Sequence, residues 1–282
     1  MDHIILTHEK VLEYLPERAA DAHKGNFGKV LLLCGSKGYT GAAALAAMGA
    51  LRTGAGLVYL TVPESIYAIE AVKLNEAIVQ PIADENGMFA KESTAAVLDM
   101  LNGKDGVLIG PGIGQSEGTY SVVKCVLENY RGPVVLDADG INVMRAHKNI
   151  LRERTSPTIL TPHEGEFCRF TGTYIHDRAT AAVELAADLG CIVLLKGHNT
   201  LITDGVQVYC NQTGNPGMAT GGSGDVLAGI IVSLLGQKLP PLQAAACGAW
   251  LHGAAGDICA NEIGQYGMLP SDMINVLPRL LK

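Results

Sequence analysis

Short apolar runs closed by glycine alternate with longer stretches of helical period along this chain. Residues 30–34 make a β-type run that enters the glycine-rich segment GSKGYTG (35–41), and the alanine-rich residues 42–51 beyond it predict a buried helix. Further strands are expected at 57–62, 78–82 and 107–109, separated by helices around 66–72 and 94–101. The second half repeats the alternation with helix 116–129, strands 134–137 and 158–160, helix 178–189 and strand 191–195. Two β-rich runs, 200–203 and 206–209, flank Asp204-Gly205 and read as a hairpin. The last third is helical, over 222–235, 242–260 and 271–277. Near-continuous apolar strands between helices imply a mainly parallel sheet covered on both faces, hence an α/β fold. Ligands of such sheets bind at strand carboxyl ends, and the glycine-rich and polar motifs all fall on that edge. No linker, low-complexity segment or repeat interrupts the pattern, so residues 1–282 are expected to form one domain.

Composition narrows the partners. With 48% hydrophobic and only 17% charged residues, the chain has enough apolar surface to offset the entropy of ordering it. A formal net charge of -7 without a basic stripe argues against nucleic acid, while a small anion remains compatible because backbone amides can bind it. The seven cysteines include no CxxC pair and read as free thiols of a cytoplasmic protein. The start, MDHIILTHEK, lacks the basic and long apolar regions of a signal peptide, and the longest apolar runs, such as 226–236, are too short for a bilayer. No membrane partner is expected.

The densest motif is NPGMATGGSGDVLAG (215–229), in which glycines crowd just before an apolar helix. Such a loop exposes backbone N–H groups and the helix N-terminus adds partial positive charge, so Gly221, Gly222, Ser223 and Gly224 suit phosphate oxygens. Asp225 falls in the first helical turn, where a carboxylate can take a proton from an attacking hydroxyl. The plainer alternative is that it only caps the helix. KGHNT (196–200) follows a buried strand and precedes the hairpin. Lys196 is placed there to meet nucleotide phosphates and the hairpin to cover a base, or the lysine is simply solvated. In TPHEGE (161–166), His163 is a candidate substrate contact and Glu166 a candidate Mg2+ ligand acting through water; a capped, acid-rich helix start is the rival reading. The spacing is not HExxH, which disfavours a zinc hydrolase. In LDADGIN (136–142), Asp137, Asp139 and Asn142 either contact ligand or cap the next helix. GPGIG (110–114) and residues 35–41 line an acceptor pocket or make close turns; neither is a Walker A loop, and GPGIG is not a GxGxxG fingerprint either. Ser223 sits in GGSGD rather than GxSxG, which disfavours a serine hydrolase.

With these residues in view, the chain resembles the ADP- or ATP-dependent NAD(P)H-hydrate dehydratases of the ribokinase-like superfamily. The matching segments, in family order, are TGAAALAAMGALRTGAGLV (40–58), GPGIG, LDADGIN, TPHEGEF (161–167), KGHNT and the 215–229 motif. Many relatives carry Thr where this chain has Ser223, and both offer a hydroxyl. The resemblance implies a three-layer α/β/α sandwich around a mainly parallel sheet. It also implies repair of hydrated NADH or NADPH, in which a C6 hydroxyl takes the terminal phosphoryl of ADP (or ATP) and leaves as phosphate. Carried over by position, Lys196, Gly197, His198, Asn199, Thr200 and Gly224 would bind nucleotide. Ala43, Gly112, His163 and Asp225 would contact the hydrate, with Asp225 catalytic and Glu166 organising Mg2+. The resemblance further implies a homo-oligomer, a tetramer in many relatives, and a functional partner in a separate NAD(P)H-hydrate epimerase, since the sequence begins close to the dehydratase region. A small-molecule kinase of the same fold, acting on a vitamin precursor or sugar hydroxyl, is the alternative activity, and a non-catalytic nucleotide-binding module the third reading.

Overall fold

The computed structural model describes residues 3–282. Its strands are β1 (Ile4–Ile5), β2 (Lys29–Leu33), β3 (Leu57–Pro63), β4 (Ile78–Ile82), β5 (Asp84–Glu85), β6 (Met88–Phe89), β7 (Gly106–Ile109), β8 (Val134–Leu136), β9 (Thr158–Leu160), β10 (Ile192–Leu195), β11 (Thr200–Thr203) and β12 (Val208–Asn211). Ten of them form one sheet in the order β1-β12-β11-β10-β9-β8-β7-β2-β3-β4, and β5 and β6 form a small separate ribbon. Pairing within the ten-stranded sheet is parallel except where β11 runs against β10 and β12, and the β5–β6 ribbon is antiparallel.

The apolar strands explain the layers. Leu32, Leu108, Val135, Ile159 and Leu194 point to one face, where they pack under the helices Thr40–Arg52, Ser223–Gly236 and Pro241–Glu262. Their neighbours Leu31, Leu33, Ile109, Leu136 and Leu195 point to the other, against the helices Glu117–Asn129 and Arg178–Leu189. Successive strand side chains alternate faces, so a run without a polar break is buried on both. The expected three-layer α/β architecture with a mainly parallel sheet is therefore present.

Two helices set the geometry of the site. Thr40–Arg52 and Ser223–Gly236 both start at the carboxyl edge of the sheet and touch backbone to backbone. A Cβ added at Gly49 would lie 2.7 Å from the carbonyl oxygen of Val226, and one at Gly229 would lie 2.1 Å from that of Ala46. Glycine at both positions lets the two helices pack this closely.

The structure departs from the pattern in several places, including an unexpected helix at Lys148–Glu153. The second hairpin strand runs over Val208–Asn211 rather than 206–209. Asp204 Oδ1 accepts from the amides of Val206 (2.9 Å) and Gln207 (2.8 Å), which extends the turn by two residues. Strand β1 has two residues and leaves no periodic signal, and the β5–β6 ribbon is equally short. The helix His8–Tyr14 was likewise not expected; Thr7 caps it by accepting from the Lys10 amide. All seven cysteines are free. Among the described residues no helix is long and apolar enough to cross a membrane.

Candidate active site

The strand order reverses beside β2, whose chain continues to β3 on one side while β7 lies on the other. Loops leaving adjacent strands diverge at such a point and open a crevice. Here the segments 35–41 and 110–114 meet. The Gly35 amide donates to Pro111 O (2.8 Å), the Gly110 amide to Leu33 O (3.3 Å), and Ser36 Oγ to Gly112 O (2.7 Å). Gly112 has φ +65, and a Cβ there would lie 2.9 Å from the side chains of both Ala42 and Tyr39. Ala43 is fully buried with its methyl against Gly35, so the half-buried Ala42 is the side chain that faces Gly112.

Next along the edge, β8 delivers Asp137. Ala138 follows with φ 48 and ψ -117, a sparsely populated conformation for a residue with a side chain. Gly110 makes this close approach possible, since a Cβ on it would overlap the Asp137 carbonyl at 1.7 Å. Asp137 is 2% exposed, and its Oδ1 accepts from Thr161 Oγ1 (2.7 Å) and Lys196 Nζ (3.0 Å). Asp139 turns elsewhere and accepts from the Gly114 amide (3.0 Å) and the Gln115 side chain (2.9 Å), fixing the 110–114 loop.

Lys196 directly follows β10 and lies beside His163, its partner in an isolated parallel bridge, and its amide donates to Pro162 O (2.9 Å). Its ammonium lies between Asp137 and Glu166 Oε2, the latter at 3.6 Å. Burial opposes that charge, but the two carboxylates more than offset it and raise the lysine pKa. Glu166 is bound up locally as well. Its Oε2 accepts from the His163 amide (2.9 Å) while His163 Nδ1 accepts from Gly165 and Glu166, a reciprocal cap on the helix Glu164–Thr171. No group of three or more His, Cys, Asp or Glu among the described residues is disposed to hold a metal ion. The donor set does not fit a resident Mg2+ caged by protein.

The helix Ser223–Gly236 points its N-terminus into this cluster. Gly222 is its cap residue at φ 95, and no side chain caps the first turn. The Gly224 amide therefore has no helical acceptor and is open to an anion. A Cβ on Gly224 would stand 3.3 Å from Lys196 Nζ, which places the ammonium over the helix start. Ser223 Oγ lies 3.2 Å from His252 Nε2, both side chains being buried. Burial holds His252 at a pKa of about 4, so its ring is neutral at physiological pH. None of the hydrogen bonds or ion pairs of this cluster ends on Asp225. Burial, and then repulsion from Asp137, push the Asp225 carboxyl up to about 6 despite the nearby Lys196. A carboxylate so placed is a base that takes up or releases its proton near neutrality.

A cavity of about 820 Å³ opens from this cluster toward the hairpin. His163, Lys196, Gly197, His198, Asn199, Thr200, Gly221, Ser223 and Gly224 all border it, so three motifs separated in sequence share one wall. Asp225, Ala43, Gly112 and the buried Glu166 do not line it.

Several contributors escaped the sequence. Residues Asn211 and Thr213, the main chain at Gly214 and the ring of His252 also line the cavity. Asp257 anchors that segment by accepting from the Gly214 amide (2.9 Å) and the Asn215 side chain (2.9 Å). Arg178 shapes the 196–199 loop from behind, donating to the carbonyls of Leu195 (3.2 Å), Lys196 (3.3 Å) and Asn199 (3.3 Å) and pairing with Glu164 (3.0 Å). The turn chemistry of GNPG (214–217) was a local signal for the anchored segment. Arg178 and His252 act through contacts distant in sequence and left none.

Comparison with known proteins gives the same picture from another side. The family model described as NAD(P)H-hydrate dehydratase matches residues 30–279. A bifunctional NAD(P)H-hydrate repair enzyme of Moorella thermoacetica is 43% identical over 275 residues, covering 95% of this chain and 52% of that protein. The chain thus spans about half the length of the first curated relatives it matches. The ADP-dependent (S)-NAD(P)H-hydrate dehydratase of Bacillus subtilis is 36% identical over 98% of this chain and 97% of its own. The crystal structure of the Bacillus subtilis ADP/ATP-dependent NAD(P)H-hydrate dehydratase, co-crystallised with ATP/Mg2+, superposes with a TM-score of 0.88 at 34% identity, covering 99% and 98% of the two chains. A match of that extent, on a sheet and site built as described, makes this chain a member of the NAD(P)H-hydrate dehydratase family, with a ribokinase-like fold.

Proposed function

We propose that this chain returns hydrated NADH or NADPH to the normal cofactor at the expense of ADP or ATP. The observation that carries this reading is the meeting of three groups at one helix start: the open Gly224 amide, the Lys196 ammonium above it, and the raised, uncommitted carboxylate of Asp225. Phosphate oxygens face the amides and the ammonium, and Asp225 faces the acceptor hydroxyl. Asp225 takes the proton of the C6 hydroxyl as its oxygen bonds to the terminal phosphorus. The bond from that phosphorus to the bridging oxygen breaks, releasing AMP (or ADP). The positive wall stabilises charge on the transferring group. The ring nitrogen then expels phosphate from C6, and loss of a C5 proton restores the reduced nicotinamide. Phosphate leaves where hydroxide would not.

In this reading Lys196, Gly197, His198, Asn199, Thr200 and Gly224 hold the nucleotide, and Ala43, Gly112, His163 and Asp225 hold the hydrate, with Ala43 acting through its main chain. Mg2+ enters as part of the metal–nucleotide complex, touched by Glu166 through water; such ions are commonly held by substrate phosphates and few protein groups. We further read residues 1–282 as one domain, supported by the continuous sheet from β1 to β4. A cytoplasmic site of action is supported by the seven free thiols. A homo-oligomer and a functional link to an epimerase complete the reading; bifunctional repair enzymes among the relatives support the link. The family match does not favour the small-molecule kinase alternative.

The test is direct. Hydrated NADH incubated with the protein, Mg2+ and ADP or ATP should regain the reduced-nicotinamide absorbance, with one phosphate released per cofactor repaired. Failure with both nucleotides refutes the activity. Accumulation of a stable phosphorylated alcohol would identify a kinase instead.

A further inference from the structure

The hydroxyl of Ser223 has a partner outside the glycine-rich motif. His252, in the long helix Pro241–Glu262, approaches Ser223 Oγ with Nε2 at 3.2 Å. Both residues border the nucleotide cavity, yet Ser223 is 7% exposed and His252 is 9% exposed. Ser223 is the first residue of its helix, and its hydroxyl caps nothing there. A hydroxyl in that position can rotate between donating into the pocket and donating to the imidazole. We propose that His252 is a positioning residue: its Nε2–H donates to Ser223 Oγ, which leaves the serine hydroxyl proton to donate to a terminal phosphate oxygen.

The physical argument is one of donors. An anion in the pocket needs hydrogen-bond donors, and a serine that gives its only proton to the ring would offer it lone pairs. A relay in which Nε2 donates to Oγ and Oγ donates onward supplies the required polarity and fixes the rotor before the phosphate arrives. The ring is neutral, held so by burial, and so contributes direction rather than charge. A cationic imidazole would also repel the nearby Lys196. The phosphate side of this inference rests on the proposed function, whereas the Ser223–His252 contact does not.

The test is a double-mutant cycle read by binding and by turnover. ADP and adenosine are titrated calorimetrically against the parent, Ser223→Ala, His252→Ala and the double variant. Each single variant should weaken ADP about tenfold, the order expected for one hydrogen bond to a charged group, while adenosine is bound as before. The double variant should be no weaker than either single one. His252→Gln, whose side-chain amide can place a donor near Nε2, should recover most of the loss. It should also leave the pH–rate profile of the parent in place, as a ring acting by proton transfer would not. Full ADP affinity in His252→Ala, losses that multiply to about a hundredfold in the double variant, or His252→Gln as weak as His252→Ala would each overturn the relay. Thermal unfolding of every variant separates a collapsed fold from a local effect, and Ser223→Thr, which keeps the hydroxyl, should retain tight ADP. A coupled binding cycle in a protein that never repairs hydrated NADH would leave the relay standing and remove the dehydratase reading.

Discussion

Lys196 Nζ lies 3.0 Å from Asp137 Oδ1, joining residues 59 positions apart at the ends of two strands that do not pair with each other. The intervening strand β9 adds Thr161 to the same carboxylate. The lysine is thus held in place before any phosphate arrives. Replacing it with Lys196→Met leaves Asp137 and Glu166 side by side without a counter-charge. Breaking a buried pair in this way costs about 3–5 kcal/mol, which chemical denaturation would register. Lys196 also restrains the Asp225 pKa, so the acid limb of any residual activity should move to higher pH in this variant.

Asp225→Asn separates chemistry from binding. Loss of the proposed base should lower turnover about a hundredfold to ten-thousandfold, while ADP still binds. Stability should move the other way. The Asp225 carboxyl is raised from 3.8 to about 6 in the folded protein. A raised carboxyl pKa favours the fold fully below the unfolded value and loses that contribution as pH rises through the folded one. The ionised aspartate therefore burdens the native state above pH 6. The asparagine variant should gain up to about 3 kcal/mol over the parent at pH 8, and little near pH 4. Equal differences in melting temperature at the two pH values would contradict the assignment.

The parts of this architecture carried by short-range pattern were legible in the sequence. Strands 78–82 and 158–160 and helix 178–189 have the bounds that their apolar runs and polar flanks predict. The hairpin slipped by two residues because a single side chain, Asp204, lengthens its turn, and alternation alone does not register that. The motifs 161–166, 196–200 and 221–224 meet around one cavity, as strand-end loops of a parallel sheet should. Their pairings were not legible. Lys196 with Asp137, Ser223 with His252 and Arg178 with the 195–199 carbonyls depend on strand order and helix packing, which local pattern does not encode. The even choice between ligand contact and helix cap at Asp137 has a third answer, since this residue fixes a lysine.

Ala138 sustains that arrangement at a backbone cost. Its φ of 48 with ψ -117 is a conformation that glycine adopts freely and alanine does not. Ala138→Gly should therefore raise stability by about 1 kcal/mol, read as a higher denaturation midpoint at unchanged slope. A destabilised variant would show that the surroundings relieve the strain already.

Gly224→Ala probes the phosphate wall without removing a charge. The new methyl would sit 3.3 Å from Lys196 Nζ, beside the proposed phosphate position. The expected outcome is a KM for ADP raised about tenfold, equivalent to about 1.4 kcal/mol, with the fold intact. An unaltered KM would place the phosphates elsewhere in the cavity.

The most direct measurement follows one oxygen atom. Hydrated NADH carrying oxygen-18 at the C6 hydroxyl is repaired with unlabelled ADP in ordinary water, and the released phosphate is weighed. If Asp225 activates that hydroxyl toward the terminal phosphorus, each phosphate carries the label. Label released into water, with phosphate drawing its oxygen from solvent, would mean that ADP hydrolysis and dehydration never share an atom, and the account would fail.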